Sequence, residues 1–260
     1  MISFTHIFVG IGNSGIRIVR NIDIPNAVKV LLDSSYYLFD KKRHSFVKQI
    51  KSFFGSLSDD TIIWIIFEDK PINIEIVRLI NDALTKDVIR LAYVLSPYKE
   101  LVHEERPEWA YSFETVFYDS LSEFLSTYTA IPLEDAFNAA SKQIGLMFSK
   151  LYYYLENQML VNIDYADLFN MIKGGNIGIL RILRDVNFEW NWGIWDRGLI
   201  SIMVGKNVPL KNAHEILEKF QHLLREKDII WGVRMNKELD NEIEILALLI
   251  KRWSNGGNSV

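Results

Sequence analysis

The sequence predicts an α/β fold in which a doubly wound, mostly parallel sheet is followed by a central helix and a smaller C-terminal α/β domain. Three observations lead to this prediction. Short apolar runs alternate with stretches of helical periodicity through the first half of the chain. These runs are continuously apolar, as in parallel strands that are buried on both faces. One long, largely apolar helical stretch then separates this half from a second group of strand patterns.

The first half begins with an apolar run that leads into a glycine-rich turn. Residues 4–9 predict a strand, the turn carries Gly10, Gly12 and Gly15, and residues 16–21 predict a helix. Further strands are predicted at residues 28–32, 61–67 and 88–95, with helices at residues 46–54 and 74–84. Strand and helix alternate regularly, which favours a parallel sheet with crossover helices.

The second half starts with the central helix, predicted over residues 135–159. A short helix at residues 168–173 follows. Strands are then predicted at residues 176–183, 198–204, 228–235 and 242–250, with a helix at residues 210–224, which indicates a mixed or antiparallel sheet. The predicted organisation is a nucleotide-binding-type domain at 1–134, a central helix at 135–160, a C-terminal domain at 161–253 and a polar tail at 254–260.

Composition excludes several classes of protein. The chain has no cysteine, which rules out a disulfide framework, a cysteine-based zinc site and a thiol nucleophile. A net charge of -4 argues against nucleic acid as a partner. The five histidines show no metal-ligand spacing, so no metal site is expected. The longest uncharged apolar run, residues 61–67, is far shorter than a membrane span, and the N-terminus lacks a signal-peptide pattern, so a cytoplasmic protein is expected.

Several segments stand in an order that is typical of one known family. Residues 131–140, Ile-Pro-Leu-Glu-Asp-Ala-Phe-Asn-Ala-Ala, open the central helix, and residues 161–167, Val-Asn-Ile-Asp-Tyr-Ala-Asp, follow its end. Residues 113–117 (Phe-Glu-Thr-Val-Phe), the C-terminal run 228–245 and the glycine-rich opening 9–15 match in position. The chain thereby resembles the bacterial and archaeal cell-division protein FtsZ over most of its length. The resemblance implies the FtsZ/tubulin-like fold.

The resemblance also implies a set of site residues. In FtsZ and tubulin polymers the acidic loop after the central helix enters the nucleotide site of the next subunit. It therefore implies that Asn162, Asp164 and Asp167 act in trans on bound GTP by orienting the attacking water. Ser141 stands where the family carries an asparagine that recognises the base. The implied nucleotide-binding residues are Gly10, Gly12, Asn13, Ser14, Gly15, Arg17, Phe137 and Ser141.

Each of these motifs also has a purely structural interpretation. The glycine loop either cradles a phosphate at a helix N-terminus or forms a tight strand-to-helix turn. Arg17, one turn later, either favours an anion or is a solvated side chain. Asp164 and Asp167 either act on a nucleotide or cap the helix that follows, with Asp164 as N-cap and Asp167 at the third position. The spacing fits both interpretations of the acidic loop.

The chain departs from the family where the nucleotide phosphates should bind. The family has a glycine-rich loop after its third core strand, whereas this chain continues there as Glu68-Asp69-Lys70-Pro71. Two carboxylates at this point would repel phosphate oxygens. The stretch between residues 33 and 61 is too short for the family's γ-phosphate loop, and the stretch between 183 and 198 is trimmed. The sequence therefore predicts a degraded nucleotide site.

From these features we expect GTP or GDP to bind weakly or not at all, and we expect no GTP hydrolysis by the chain alone. The expected role lies in cytoskeletal or cell-division-type assembly, through contacts with itself or with an FtsZ-family partner. Two alternatives remain open from the sequence. One is a polymerising GTPase with unconventional phosphate loops. The other is a small-molecule-binding module that has lost assembly.

Overall fold

The computed structural model describes residues 4–97, 105–156, 163–183, 194–223 and 227–253. Three sequence predictions fall outside these residues: the end of the central helix at 157–160, the position of Asn162, and the polar tail 254–260. The chain divides into two compact units. Unit 1 comprises Met1–Leu146 with Trp253–Val260, and unit 2 comprises Met147–Arg252. The division falls within the central helix.

Unit 1 is built on five parallel strands in the order β2-β1-β3-β4-β5. The strands are β1 (Thr5–Ile11), β2 (Val28–Leu32), β3 (Thr61–Glu68), β4 (Ile89–Ser96) and β5 (Thr115–Ser120). The helices are α1 (Gly12–Arg20), α2 (Ser35–Leu38), α3 (Asp40–Phe54), α4 (Pro71–Ala83), α5 (Leu121–Ser126) and the first part of α6 (Leu133–Glu156). Because all five strands run the same way, their carboxyl ends lie along one edge of the sheet.

Strand β3 shows why the apolar runs form this sheet. All seven residues from Thr61 to Phe67 are buried, so the strand sits between two neighbours and is covered on both faces. Its register pairs Ile11 with Phe67 on one side and Glu68 with Leu95 on the other. Proline at the first position of α4 then starts the next helix without losing a backbone donor.

Unit 2 has a mixed sheet in the order β6-β9-β7-β8. Strand β9 is antiparallel to β6 and β7, whereas β7 and β8 are parallel. The strands are β6 (Asn176–Leu183), β7 (Arg197–Gly205), β8 (Asp228–Asn236) and β9 (Ile243–Arg252), and the helices besides the second part of α6 are α7 (Tyr165–Ile172) and α8 (Leu210–Leu223). The predicted α/β class, with a mostly parallel first sheet and a mixed second sheet, is confirmed.

The structure corrects the sequence prediction at three places. Helix α1 begins at Gly12, so the glycine-rich loop forms the first turn of the helix instead of preceding it. Helix α3 begins at Asp40, six residues before the predicted start at residue 46. Strand β5 was not predicted, because its Thr, Asp and Ser residues are polar although the whole strand is buried. The Asp119 carboxylate accepts from the Tyr93 hydroxyl on the neighbouring strand, and the Ser120 hydroxyl pairs with that of Ser122 in α5.

A buried ion pair holds the core of unit 2 around β9. Glu244 is only 4% exposed, and it accepts from the Lys150 ammonium and, at 2.8 Å, from the Tyr154 hydroxyl. Burial raises the pKa of Tyr154, and the neighbouring Glu244 carboxylate raises it further. The carboxylate is thereby compensated by two donors from the same helix, α6.

Helix α1 lies in direct backbone contact with the sheet of unit 1. A Cβ at Gly15 would stand 2.2 Å from the carbonyl oxygen of Ile66 in β3, and a Cβ at Gly10 would stand 2.4 Å from the Gly15 carbonyl oxygen. These distances are far below van der Waals contact, and the obstructing atoms are backbone. The two glycines are therefore required for the packing of α1 on β1 and β3.

Substitution Gly15→Ala should lower the free energy of unfolding by about 1–3 kcal/mol, because the added methyl group forces α1 away from β3. Urea denaturation followed by circular dichroism measures the change. Asn13→Ala is the matched control, since Asn13 lies in the same helical turn with its side chain exposed. An unchanged unfolding midpoint in Gly15→Ala would contradict the close approach of α1 to β3.

His6 in β1 gives a second prediction, because burial lowers its pKa from 6.5 to about 4. The unfolded chain binds a proton at this residue below about pH 6.5 whereas the folded chain does not, so stability falls as the pH drops from 6.5 towards 4. The full pKa difference corresponds to about 3 kcal/mol over that range, and solvent screening of this half-buried residue reduces the expected loss to about 2 kcal/mol. His6→Gln should flatten the pH dependence of the unfolding free energy. An equal slope in His6→Gln and in the unmodified chain would refute the assignment.

Candidate functional site

The candidate site lies at the carboxyl ends of β1 and β3 in unit 1. The turn after β1 carries Gly12 with φ at +69°, a conformation that favours glycine. Asn13 follows with an exposed side chain, and Ser14 follows with its side chain 5% exposed. The segment after β3, Glu68 to Pro71, reaches the same edge because β1 and β3 pair in register up to Ile11 and Phe67. Predicted phosphate-binding residues therefore face the segment that departs from the family pattern.

The carboxylate of Glu68, at the end of β3, lies against the first turn of α1. The Ser14 hydroxyl donates to Glu68, and the Lys70 ammonium forms an ion pair with the other carboxylate oxygen. The Glu68 side chain is 12% exposed. Helix α1 has no acidic residue in its own first turn and no side-chain cap, so Glu68 supplies the negative charge that the positive end of a helix dipole favours. The chain thus places its own carboxylate where a helix N-terminus would otherwise favour an external anion.

The backbone donors of the segment after β3 are already used inside the chain. The N–H of Asp69 donates to the Leu95 carbonyl at 2.9 Å, and the N–H of Lys70 donates to the Glu68 carbonyl at 2.7 Å. Pro71 has no N–H. A phosphate cradle needs several backbone N–H groups that point at the anion. Residues 69–71 do not supply them.

Asn73 is a site residue that the sequence analysis missed. It lies in the first turn of α4, is 2% exposed, and donates from Nδ2 to the Glu68 carbonyl at 3.0 Å. Its Oδ1 has no hydrogen-bond partner among the described residues, and it lies 3.1 Å from the place that a Cβ on Gly12 would occupy. The signal in the sequence was a polar residue two positions after Pro71, within an otherwise apolar start of a helix.

Arg17 pairs with side chains of α6. Its Nη2 lies 2.7 Å from Glu134 Oε1, and its Nη1 donates to Asn138 Oδ1 at 3.1 Å. The Arg17 side chain is 30% exposed, and its contact with a nucleotide stays a prediction. Phe137, on the adjoining part of α6, is half-buried, and Ser141 is 5% exposed.

The acidic loop of unit 2 forms a capping box. The Asp167 N–H donates to the Asp164 carboxylate at 3.0 Å, and the Asp164 N–H donates to the Asp167 carboxylate at 3.0 Å. The capping interpretation is therefore confirmed. Asp164 is exposed and Asp167 is half-buried, so the bonded carboxylates also reach the surface of unit 2. The action of Asn162, Asp164 and Asp167 on a nucleotide in trans stays a prediction.

The described residues offer neither a metal site nor a membrane span. Within them, no group of three or more His, Asp or Glu side chains could hold a metal ion. None of the helices in the described ranges is both long enough and apolar enough to cross a bilayer.

No protein-family profile matches the sequence. Among curated proteins, FtsZ 2 of Pyrococcus furiosus is 22% identical over 194 residues, which cover 65% of this chain and 47% of that protein. FtsZ 2 of Methanocaldococcus jannaschii is 24% identical over 52% of this chain and 41% of its own length. The chain therefore spans less than half the length of these curated relatives.

Comparison with solved structures gives the same family at the level of the fold. An empty FtsZ dimer of M. jannaschii matches over 99% of this chain and 95% of its own, with a TM-score of 0.68 and 14% identity. Haloferax volcanii CetZ2, a GTPγS-bound protofilament, matches over 97% of this chain and 95% of its own, with a TM-score of 0.65 and 13% identity. The predicted FtsZ/tubulin-like fold is thus confirmed, and the FtsZ-named relatives support a divergent FtsZ/tubulin-like protein.

Proposed function

We propose that this chain is an assembly protein of the FtsZ/tubulin type that binds guanine nucleotides weakly or not at all and does not hydrolyse GTP by itself. One observation carries the proposal. The segment Glu68–Pro71 bonds its own backbone donors internally and presents a carboxylate to Ser14 at the first turn of α1. An incoming phosphate would have to displace that carboxylate and would find no free N–H groups in residues 69–71.

The magnitudes support weak binding. The Glu68–Lys70 pair carries no net charge, so the helix N-terminus is the main attraction left for a phosphate at this turn. A helix dipole contributes about 0.3–1 kcal/mol to an anion near its end. Micromolar binding requires about 8 kcal/mol. A carboxylate and a phosphate about 4 Å apart repel by roughly 4 kcal/mol at an effective dielectric constant near 20. The Lys70 ammonium offsets much of this repulsion, so the turn offers a phosphate little net electrostatic attraction beyond the helix dipole, far less than micromolar binding requires.

The acidic loop supplies the proposed contact with a partner. The capping box holds Asp164 and Asp167 in fixed positions at the surface of unit 2, which lowers the entropy cost of presenting two carboxylates to another molecule. Carboxylates there can orient a water that attacks a γ-phosphate bound by the partner. We propose that the partner is a nucleotide-bearing FtsZ-family protein. The chain would then terminate or modify filaments of that relative, because its own phosphate site would not hold the nucleotide that the next subunit contacts.

The first test is equilibrium binding. Calorimetry with GTP and with GDP in the presence of Mg²⁺ should give dissociation constants weaker than about 100 μM, because the phosphate site lacks donors and net positive charge. Glu68→Gln should strengthen binding up to about tenfold, since it removes the repelling charge and keeps a group that can bond Ser14. Glu75→Gln, on the exposed face of α4, is the matched control.

Two outcomes would contradict this part of the proposal. One is a micromolar or tighter constant for the unmodified chain, and the other is an identical response of the two glutamate variants. Phosphate release by the chain alone that rises steeply with its concentration would establish the alternative, a polymerising GTPase with unconventional phosphate contacts.

The second test addresses the acidic loop without disturbing the helix that it caps. Asp164→Ser with Asp167→Gln removes both charges but keeps the capping-box pattern, so α7 should stay folded. Equimolar unmodified chain should shorten filaments of a GTP-competent FtsZ from the same organism and change its GTP turnover at least twofold. The double variant should lose both effects.

Glu215→Gln with Glu218→Gln removes two exposed carboxylates from α8 in the same unit and serves as control. It should behave like the unmodified chain. Two results would show that the loop is not the active element. In one, the unmodified chain leaves GTP turnover and filament length unchanged. In the other, the double variant Asp164→Ser/Asp167→Gln acts as strongly as the unmodified chain.

A further inference from the structure

We infer that an apolar groove in unit 1, between β2, α1 and α3, binds an extended acidic segment of a partner protein. The inference uses neither the segment Glu68–Pro71 nor the acidic loop, so it does not rest on the proposed function. Its volume is about 530 Å³, within the range of about 300–1,000 Å³ that ligand pockets occupy. Its apolar lining includes Ile16, Val30, Leu32, Phe46, Ile50 and Phe53.

Strand β2 forms an open edge along this groove. Among the described residues it pairs with β1 alone, because it stands first in the strand order of unit 1. Two of its apolar side chains are unusually exposed for a strand, Val28 at 39% and Leu31 at 40%. An open edge offers N–H and C=O groups to an added strand, which is a recurring way in which proteins bind peptides.

The helices that border the groove and form its rim are basic, whereas its two charged lining side chains, Arg20 and Asp33, offset each other. Residues 35–54, which form α2 and α3, contain five Lys or Arg residues and one Asp, for a net charge of +4. The whole chain has a net charge of -4, so the remaining residues carry -8. These two helices therefore carry a net positive charge, whereas the rest of the chain is net negative. Lys48 and Lys51 on α3 are exposed and flank Gln49 and Ile50 of the lining.

Aromatic rings hold two of the rim cations in place. The Lys42 ammonium stands 4.6 Å from the centre of the Tyr36 ring, and the Arg43 guanidinium stands 4.2 Å from the centre of the Tyr37 ring. Arg43 also donates to the Tyr37 hydroxyl at 2.8 Å. Positioned cations lose less conformational entropy when they pair with carboxylates than flexible ones do. The rim is therefore prepared for an anionic occupant.

Charge and shape together favour an extended acidic peptide over a second copy of the chain or a lipid surface. A second copy that docked through the same groove would bring two surfaces of +4 together, which disfavours symmetric pairing. A lipid surface would touch the protruding Leu38 and Phe39, 66% and 59% exposed, but would leave the concave lining and the strand edge unused. An extended peptide uses all three features. Its side chains alternate between faces, so apolar residues would enter the groove while acidic residues meet the rim.

Selection from a random ten-residue peptide library, displayed on phage and applied to the full chain, tests the inference. We expect enriched peptides that alternate apolar and acidic residues. Synthetic copies of these peptides should bind at least tenfold more weakly to Leu31→Asp and to Lys48→Glu/Lys51→Glu, measured by fluorescence polarisation. Binding should also weaken as salt is raised, because the rim contribution is electrostatic.

The matched controls change similar residues elsewhere in unit 1. Ile131→Asp alters an apolar side chain that is 43% exposed, and Lys86→Glu/Lys142→Glu reverses two exposed cations. Both should retain peptide binding, and circular dichroism should show that all four variants are folded. Failure to enrich any peptide that depends on Leu31, or enrichment of basic peptides, would overturn the inference.

Two further measurements cover the other occupants. Sedimentation with vesicles containing 30% phosphatidylserine should leave the chain in the supernatant, and sedimentation velocity should show no dimer that Leu31→Asp abolishes. Vesicle binding that requires Leu31 and Lys48 would assign the surface to membranes and overturn the inference. A dimer that Leu31→Asp disrupts would assign the groove to a second copy of the chain and would also overturn the inference.

Discussion

The first unit depends on the close approach of α1 to strands β1 and β3. No Cβ fits at position 10 or 15, so the backbone of the helix rests on the backbone of the sheet. This contact sets the start of α1 at the carboxyl ends of the strands and brings Ser14 within reach of Glu68. The glycines of the turn have a packing role that would be needed even if no nucleotide ever bound there.

Charge is unevenly distributed over unit 1. At the edge of the sheet, Glu68 and Lys70 neutralise each other. The Glu68 carboxylate also lies at the positive, N-terminal end of the α1 dipole. The net basic charge lies instead on α2 and α3, beside an apolar groove. A fold can keep its architecture while the chemistry of its surfaces changes, so the likeness to FtsZ describes the scaffold and the side chains must be argued one by one.

Much of the scaffold follows from local patterns in the sequence. The buried run of β3 and the start of the long helix α6 were predicted near their observed positions, because burial on both faces and helical periodicity leave strong local signals. The capping box is equally local, since Asp164 and Asp167 are three residues apart. Strand β5 was missed because its buried polar groups are explained only by partners on the neighbouring strand, as Asp119 is by Tyr93.

The sequence by itself determined that the segment after β3 has no glycine and carries acidic residues, and that the chain shares the FtsZ order of motifs. Only the tertiary structure decided what those residues do. Ser14 and Glu68 are 54 positions apart, and Arg17 and Glu134 are 117 apart, so neither pairing leaves a periodic or local signal. Such contacts depend on which strands and helices become neighbours. Strand order is set by the burial of the whole sheet, and this global property places the Glu68 carboxylate at the N-terminal end of α1.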